Sequence, residues 1–174
     1  MHPTPEPSSK KTAQLPTSTP CTSVPLDLLK TGQLLALTPE CRGGLIIQKR
    51  FYADFVGSGA AVGGSFDVNC TSVYAIGKVE FYAPTTYEER QQAFQKRIAY
   101  THKLGEILLE LAPLPRAFLI INQLSQWLGA DKVKKIPPEL IAQLGGVLPK
   151  TAVIALQKHS TGNTSRNLNA LKAR

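Results

Sequence analysis

Apolar and polar positions divide the chain into stretches with different spacings. Residues 1–25 are rich in Pro, Ser and Thr and hold few large apolar side chains. Such a segment buries too little surface to offset its ordering entropy, so we expect a disordered tail. Residues 26–84 are rich in Val, Ile, Phe and Tyr between glycines, which predicts β structure. From residue 85 onward the apolar positions follow helical spacing.

The β region contains two strand-like stretches, Gly44–Val56 and Ser65–Ala83, on either side of the sequence "GSGAAVGG" (Gly57–Gly64). This glycine-rich segment lacks the Lys-Ser/Thr pair that a Walker phosphate loop requires, and no clear helix follows it. We therefore interpret it as a hairpin connection. Residues 26–84 are expected to form a small antiparallel β-roll.

A long helix is predicted for Thr85–Ala112. Thr86 can cap its first turn, and Glu88 and Glu89 lie where the helix dipole favours negative charge. At 1.5 Å per residue the stretch from Glu88 to Leu111 would span about 36 Å.

Two apolar stripes run along this helix, which suggests two packing partners: the helix's own sheet and the same helix of a second subunit. A single broad core face is an equally open interpretation. The first stripe, assigned to the dimer interface, consists of Phe94, Ile98, Thr101, Gly105 and Leu108. The second consists of Tyr100, Leu104, Ile107 and Leu111.

Three shorter helices are predicted after the break "APLP". The first begins near Pro115, is apolar over much of its surface and ends at Gly129, with Trp127 as a core anchor. A basic connection leads to a helix over Pro138–Leu144, and the last helix begins at Pro149.

The Gly145-Gly146 pair predicts a sharp turn between the last two helices, because glycine adopts positive φ without steric cost. Ala142 is small enough to let the next helix cross closely, and Val147 can fill the corner. This is the layout of a helix-turn-helix, in which the second helix enters the DNA major groove. A packing unit that binds no DNA remains the alternative.

Lys150 and Thr151 in the first turn of the last helix are the natural contacts to phosphate or base. Its inner face is predicted to hold Ala152, Val153 and Leu156. The outer face of the same helix holds Lys150, Thr151, Ile154, Gln157 and Lys158. Further sequence-independent attraction could come from Lys132, Lys134, Lys135, Arg166, Lys172 and Arg174.

The charge distribution points to the same half of the chain. The net charge is +8, and residues 88–174 hold 13 Lys/Arg against 6 Asp/Glu. Residues 1–87 hold 7 against 6, so nearly all of the excess is C-terminal. A basic half suits a polyanion such as nucleic acid, whereas a basic surface kept for solubility is the other interpretation.

Other functional classes find little support. Cys21, Cys41 and Cys70 form no C-x-x-C pair, which argues against zinc and a disulfide framework and fits a reducing cytoplasm. No secretory signal and no apolar run of about 20 residues occurs, so we expect a soluble cytoplasmic protein with no membrane partner. No catalytic motif occurs and the three histidines are isolated, so we expect neither an enzyme nor a cofactor or metal site.

One resemblance supports the DNA-binding interpretation. The stretch "EERQQAFQKRIAYTHKLGEILLELAPLPRAFLIINQLSQWLG…IPPELIAQLGGVLPKTAVIALQK" resembles the C-terminal part of bacterial regulators of the cyclic-AMP receptor and fumarate–nitrate regulator (Crp/Fnr) family. The resemblance implies a last roll strand in Ala75–Pro84, a dimerisation helix in Glu88–Leu111 and an apolar helix in Arg116–Leu128. It also implies a helix-turn-helix in Pro138–Leu144 and Pro149–Lys158.

Together these patterns predict an α+β protein with a disordered tail (1–25), a reduced sensor-like roll (26–84), a long connecting helix (85–112) and a helix-turn-helix domain with a basic tail (113–174). The expected function is a homodimeric regulator that binds double-stranded DNA. The uncharged segment "GSGAAVGG" argues against cyclic-nucleotide binding, and the effector is left open. The alternative is a protein-interaction adaptor that keeps this architecture without binding DNA.

Overall fold

The computed structural model describes residues 13–14 and 26–172, and the side chains of residues 26–160. Within this part the chain is α+β, with two antiparallel sheets and a helical C-terminal half. The strands are β1 (Ala13–Gln14), β2 (Leu34–Leu37), β3 (Gly44–Gln48), β4 (Ala53–Val56), β5 (Ala61–Gly63), β6 (Ser72–Ile76) and β7 (Glu80–Tyr82). The helices are α1 (Leu26–Lys30), α2 (Gly64–Asp67), α3 (Tyr87–Leu108), α4 (Pro113–Leu128), α5 (Ala130–Val133), α6 (Pro138–Gly145) and α7 (Pro149–Lys172).

The strands form one sheet in the order β1-β7-β2-β5 and a second in the order β4-β3-β6. In the second sheet Leu45 of β3 faces Val56 on one side and Ala75 on the other. Leu45 and Val56 are fully buried, together with Val62 of the first sheet. The two sheets thus enclose an apolar interior.

The glycine-rich segment contains a strand, where a hairpin connection was predicted. β5 pairs with β2, and Ala60, Ala61 and Val62 are fully buried. The glycines of the segment add no side chains, and its Ala and Val residues supply the apolar side chains that are buried. The following residues form the short helix α2, in the stretch predicted to be strand.

Of the predicted disordered tail, residues 1–12 and 15–25 lie outside the described part of the chain. Ala13 and Gln14 form β1, which pairs with Phe81 and Glu80 of β7.

The start of α3 follows the predicted capping chemistry. Thr86 is the N-cap, its hydroxyl accepts from the Glu89 amide at 3.1 Å, and the Glu89 carboxylate accepts from the Thr86 amide. This reciprocal pair is a capping box, which satisfies donors at the helix end. The helix ends at Leu108, so Leu109 to Leu111 belong to the connection to α4.

One face of α3 is buried against the body of the protein, as the second predicted stripe requires. Leu104 and Ile107 are buried, and Tyr100 lies half-buried against the same cluster. Leu111, the last residue of that predicted stripe, is 89% exposed, because α3 ends before it. Arg97 is also buried on this face, which no apolar pattern predicts.

A single apolar cluster joins the β4-β3-β6 sheet to the helical half. Ile46 and Phe55 of the sheet pack in it with Ile120 and Leu124 of α4 and Ile141 of α6. Two polar contacts bridge the same boundary: Gln48 donates to Gln143 at 2.6 Å, and the Tyr74 hydroxyl donates to the Lys135 carbonyl at 3.1 Å. The sheet and the helical half therefore share one core.

Among the helices of the described residues, none is by itself long and apolar enough to cross a bilayer. The consecutive helices α6 and α7 meet that requirement only together, as a pair bent by 109°.

Candidate nucleic-acid interface

The connection between α6 and α7 is a tight turn built around one glycine. α6 ends at Gly145, and Gly146 adopts the left-handed conformation (φ 56°, ψ 43°) as its C-cap. The Val147 amide donates to the Ala142 carbonyl at 3.0 Å, which satisfies one acceptor at the helix end. The helix axis changes direction by 109° across this turn.

Small residues let the two helices cross closely. Ala142 of α6 and Ala152 and Ala155 of α7 are buried, the last two completely. Val147 lies half-buried in the corner and packs against the core cluster, as predicted. The inner face of α7 differs from the prediction in one respect: Val153 is 36% exposed, and Ala155 takes the inward position.

The first turn of α7 lies at the surface. Leu148 is 73% exposed, and Pro149 and Lys150 are exposed as well. The first hydrogen bonds of the helix run from the Thr151 and Ala152 amides to the Leu148 carbonyl, at 2.9 and 3.2 Å. The positive end of the helix dipole is therefore at the surface of the protein.

The structure brings the predicted residues of α7 together on one outward face. Lys150, Ile154, Gln157 and Lys158 are exposed, and Thr151 is half-buried beside them. Their spacing of three to four residues places them in line along the helix.

Lys134 lies beside this face and Lys135 is also at the surface. Lys134 lines a hollow of about 390 Å³ with Leu156, Gln157 and Ser160 of α7. Its ammonium group is 3.8 Å from the carboxylate of Asp131, whose side chain is 97% exposed. Such an exposed ion pair is weak, so Asp131 offsets little of the attraction between the Lys134 ammonium group and an anion.

The charged residues that follow Glu139 in the sequence all have one sign. The sequence contains no Asp or Glu after Glu139, whereas five Lys and Arg residues follow it. Lys150 and Lys158 are the two of these whose side chains are described, and both are exposed. The field at this surface therefore favours an anion.

The stripe predicted to form the dimer interface is largely uncovered in the single chain. Ile98 is 62% exposed, Leu108 is 44% exposed, and Thr101 and Gly105 are exposed between them. Phe94, at the N-terminal end of the stripe, is half-buried because its ring contacts that of Phe66, with 5.5 Å between the ring centroids. A Cβ atom added at Gly105 would meet no atom within 4 Å.

The sequence patterns did not predict the contacts of two arginines, Arg116 near the turn before α7 and Arg97 on the buried face of α3. Arg116 donates to the Glu110 carbonyl and the Gly146 carbonyl, each at 3.0 Å. Arg97 contacts Asp67 and Asp54, each at 3.2 Å. A charged residue among the apolar positions of a helix face can indicate a buried ion pair, but the sequence does not show which carboxylate is its partner.

The remaining chemistry of the described residues is sparse. No three His, Cys, Asp or Glu side chains among them are close enough to hold a metal ion. Burial raises the pKa of the Cys70 thiol and of the Cys41 thiol, which lowers their reactivity. Lys103 lowers the pKa of the exposed Glu106 carboxyl on α3 through a hydrogen bond and its charge.

Comparisons with protein-family models and with curated proteins give no match to this chain. The surface of α6 and α7 and the uncovered stripe of α3 are therefore the features that bear on function.

Proposed function

We propose that the protein is a sequence-specific DNA-binding regulator that acts as a homodimer, as the resemblance to Crp/Fnr-type regulators implies. The observation that carries this proposal is the exposed, basic first turn of α7 beyond a 109° turn. Helix-turn-helix motifs join their helices at about 90–120° through a short turn that often contains Gly. In these motifs the second helix enters the major groove with its N-terminal residues on the base edges.

In this proposal Lys150 and Thr151 contact phosphate or base acceptors at the start of α7. Gln157 and Lys158 lie about two turns further along, nearer the backbone of the duplex. Lys134 and Lys135 add attraction that does not depend on sequence.

The stripe on α3 supports the dimer. Ile98 and Leu108 are apolar and exposed, and Gly105 leaves room for a second helix to approach closely. A two-fold pair would present two copies of α7 to successive major grooves about 34 Å apart.

The proposal includes no cyclic nucleotide as effector. The absence of a nucleotide site is supported by the glycine-rich segment, which carries no charge and whose Ala60, Ala61 and Val62 are fully buried.

The test of DNA binding is selection of bound sites from a random pool of DNA duplexes. We expect enrichment of a palindromic site, because two identical recognition helices read two identical half-sites. Lys150→Glu should then abolish binding in a gel-shift assay. Lys30→Glu is the matched control, because it makes the same charge change on α1, which packs against α2 and β5. A pool without any enriched site would contradict the proposal.

The test of the dimer is a charge placed on the stripe. Ile98→Glu should convert the dimer to a monomer in sedimentation experiments. Ala99→Glu places the same charge on the neighbouring exposed position outside the stripe and should leave the dimer intact. A monomeric wild-type protein, or equal effects of the two variants, would contradict the dimer.

The second candidate is a protein-interaction adaptor, which the apolar residues around α7 favour. Leu148 is 73% exposed, and Val153 and Ile154 are each 36% exposed. In an adaptor these side chains would enter an apolar groove of a partner protein. Leu148→Ser separates the candidates: it should impair partner binding in an adaptor, while Lys150→Glu should have little effect there.

A further inference from the structure

Arg116 connects two parts of the chain that the proposed function needs in a fixed relationship. Its Nη1 donates to the carbonyl of Glu110, just beyond the end of α3, and its Nη2 donates to the carbonyl of Gly146 in the turn before α7. Both bonds are 3.0 Å long. One planar guanidinium therefore joins the end of the long helix to the turn that orients α7.

The position of Arg116 in the fold makes this link direct. It lies in the first turn of α4, next to the connection that reverses the chain after α3. The other end of α4 is held by Trp127, whose ring packs against Phe55 and Tyr100. α4 is thus anchored at both ends, and Arg116 is the anchor next to α7.

The hydrogen bonds of Arg116 are not limited to capping a neighbouring helix end. The Gly146 carbonyl belongs to a residue 30 positions away, so the contact is not local capping. The Arg116 Nε is buried and makes no hydrogen bond to the described residues, so the two Nη bonds are the polar contacts that the side chain makes there. They hold the turn before α7 next to the end of α3, besides contributing to stability.

We propose that Arg116 is a positioning residue that sets the distance and angle between the two α7 helices of the dimer, and so the spacing of half-sites that the protein accepts. This inference depends on the proposed function, because half-site spacing has meaning only for a dimer bound to DNA. Arg116 would not touch the DNA itself.

The first test compares operators whose half-sites are separated by the selected spacing or by one additional base pair. The wild-type protein should lose affinity on the order of tenfold with the longer operator, since a rigid pair of helices fits one spacing. Arg116→Met, which keeps the alkyl chain, should reduce this discrimination to about twofold. Its binding to a single half-site should equal that of the wild type.

Two further variants sharpen the comparison. Arg116→Lys can reach one carbonyl at a time and should give intermediate discrimination. Arg90→Met is the matched control, because Arg90 also donates to two backbone carbonyls, those of Pro84 and Thr85, at the opposite end of α3. It should retain the full spacing preference. Equal spacing discrimination by wild type and Arg116→Met would overturn the inference.

The second test does not require DNA. Amide hydrogen exchange of Val147, Thr151 and Ala152, which donate to the Ala142 and Leu148 carbonyls, should be about tenfold faster in Arg116→Met than in wild type, because the turn loses its link to α3. Exchange there should be unchanged in Arg90→Met. If the wild type binds no DNA but this acceleration occurs, the proposed function fails while the positioning contact stands. Unchanged exchange in Arg116→Met would overturn the positioning role, whatever the protein binds.

Discussion

The indole of Trp127 stacks on the ring of Phe55, with centroids 5.0 Å apart and planes inclined by 8°. Phe55 is fully buried in β4, and Trp127 lies near the end of α4. Tyr100 of α3 meets both rings edge-on, at 5.5 and 4.9 Å. These three aromatic residues join the sheet, the long helix and the helical C-terminal half at one point.

Trp127→Ala should destabilise the protein by about 3–5 kcal/mol, because it removes a large side chain from this junction. Trp127→Phe keeps an aromatic ring and should cost less. Urea unfolding measured by far-ultraviolet circular dichroism gives both values. A Trp127→Ala protein as stable as wild type would show that the junction contributes little.

The same residue reports whether the sheet and helices unfold together. Trp127 is the single tryptophan of the chain, so its fluorescence follows the junction alone. A shared core predicts that fluorescence and circular dichroism give coincident unfolding curves. An earlier fluorescence transition would mean that the sheet separates from the helices before the helices unfold.

Arg97→Met should destabilise the protein by about 3 kcal/mol or more, because it leaves a buried carboxylate with one cation fewer. Asp67 is completely buried, and its remaining cation, Lys49, is 3.7 Å away. Adding Asp67→Asn removes the charge that was left unpaired, so the double variant should be more stable than Arg97→Met alone.

Urea denaturation is the measurement, and Lys78→Met is the control for this prediction. Lys78 forms an ion pair with Glu80, but its side chain is 67% exposed. Such a surface pair contributes about 1 kcal/mol or less. Equal effects of Lys78→Met and Arg97→Met would mean that burial adds nothing to the cluster around Asp67.

Gly105→Ala should stabilise the isolated chain by about 1 kcal/mol, because alanine favours a helix interior and the new methyl group meets no atom of the same chain. Gly105→Leu should weaken self-association if a second α3 crosses at this position. Urea unfolding of dilute protein measures the first effect, and sedimentation measures the second. Ala99→Leu, outside the stripe, should leave association unchanged.

Local chemistry explains which features could be predicted from the sequence. Thr86 and Gly129 mark helix ends through caps that involve only neighbouring residues, so both boundaries were predictable. The left-handed turn at Gly146 follows from glycine alone. The exposed face of α7 also follows from helical spacing, except that Val153, predicted on the inner face, is exposed, and Ala155 lies on the inner face.

Contacts between distant segments explain what could not be predicted. The strand within the glycine-rich segment depends on pairing with β2, which no local pattern encodes. α7 continues to Lys172, whereas the resemblance implied an end at Lys158; no proline interrupts the intervening residues. Arg116 has an apolar helical context, and nothing near it in the sequence indicates the Gly146 carbonyl as its acceptor.

Cys70 should resist alkylation until the protein unfolds. Its side chain is 2% exposed, and burial raises the pKa of its thiol, so less reactive thiolate is present at any given pH. Because the folded pKa lies above that of a free thiol, about 8.5, the rate should still be rising with pH where a free thiol has levelled off. Iodoacetamide labelling over a series of pH values from 8 upward, with each cysteine quantified by mass spectrometry, measures both effects. The half-buried Cys41 is the internal comparison and should react sooner. If Cys70 in the folded protein reacts as fast as in urea, the interior between the two sheets opens far more readily than its packing implies.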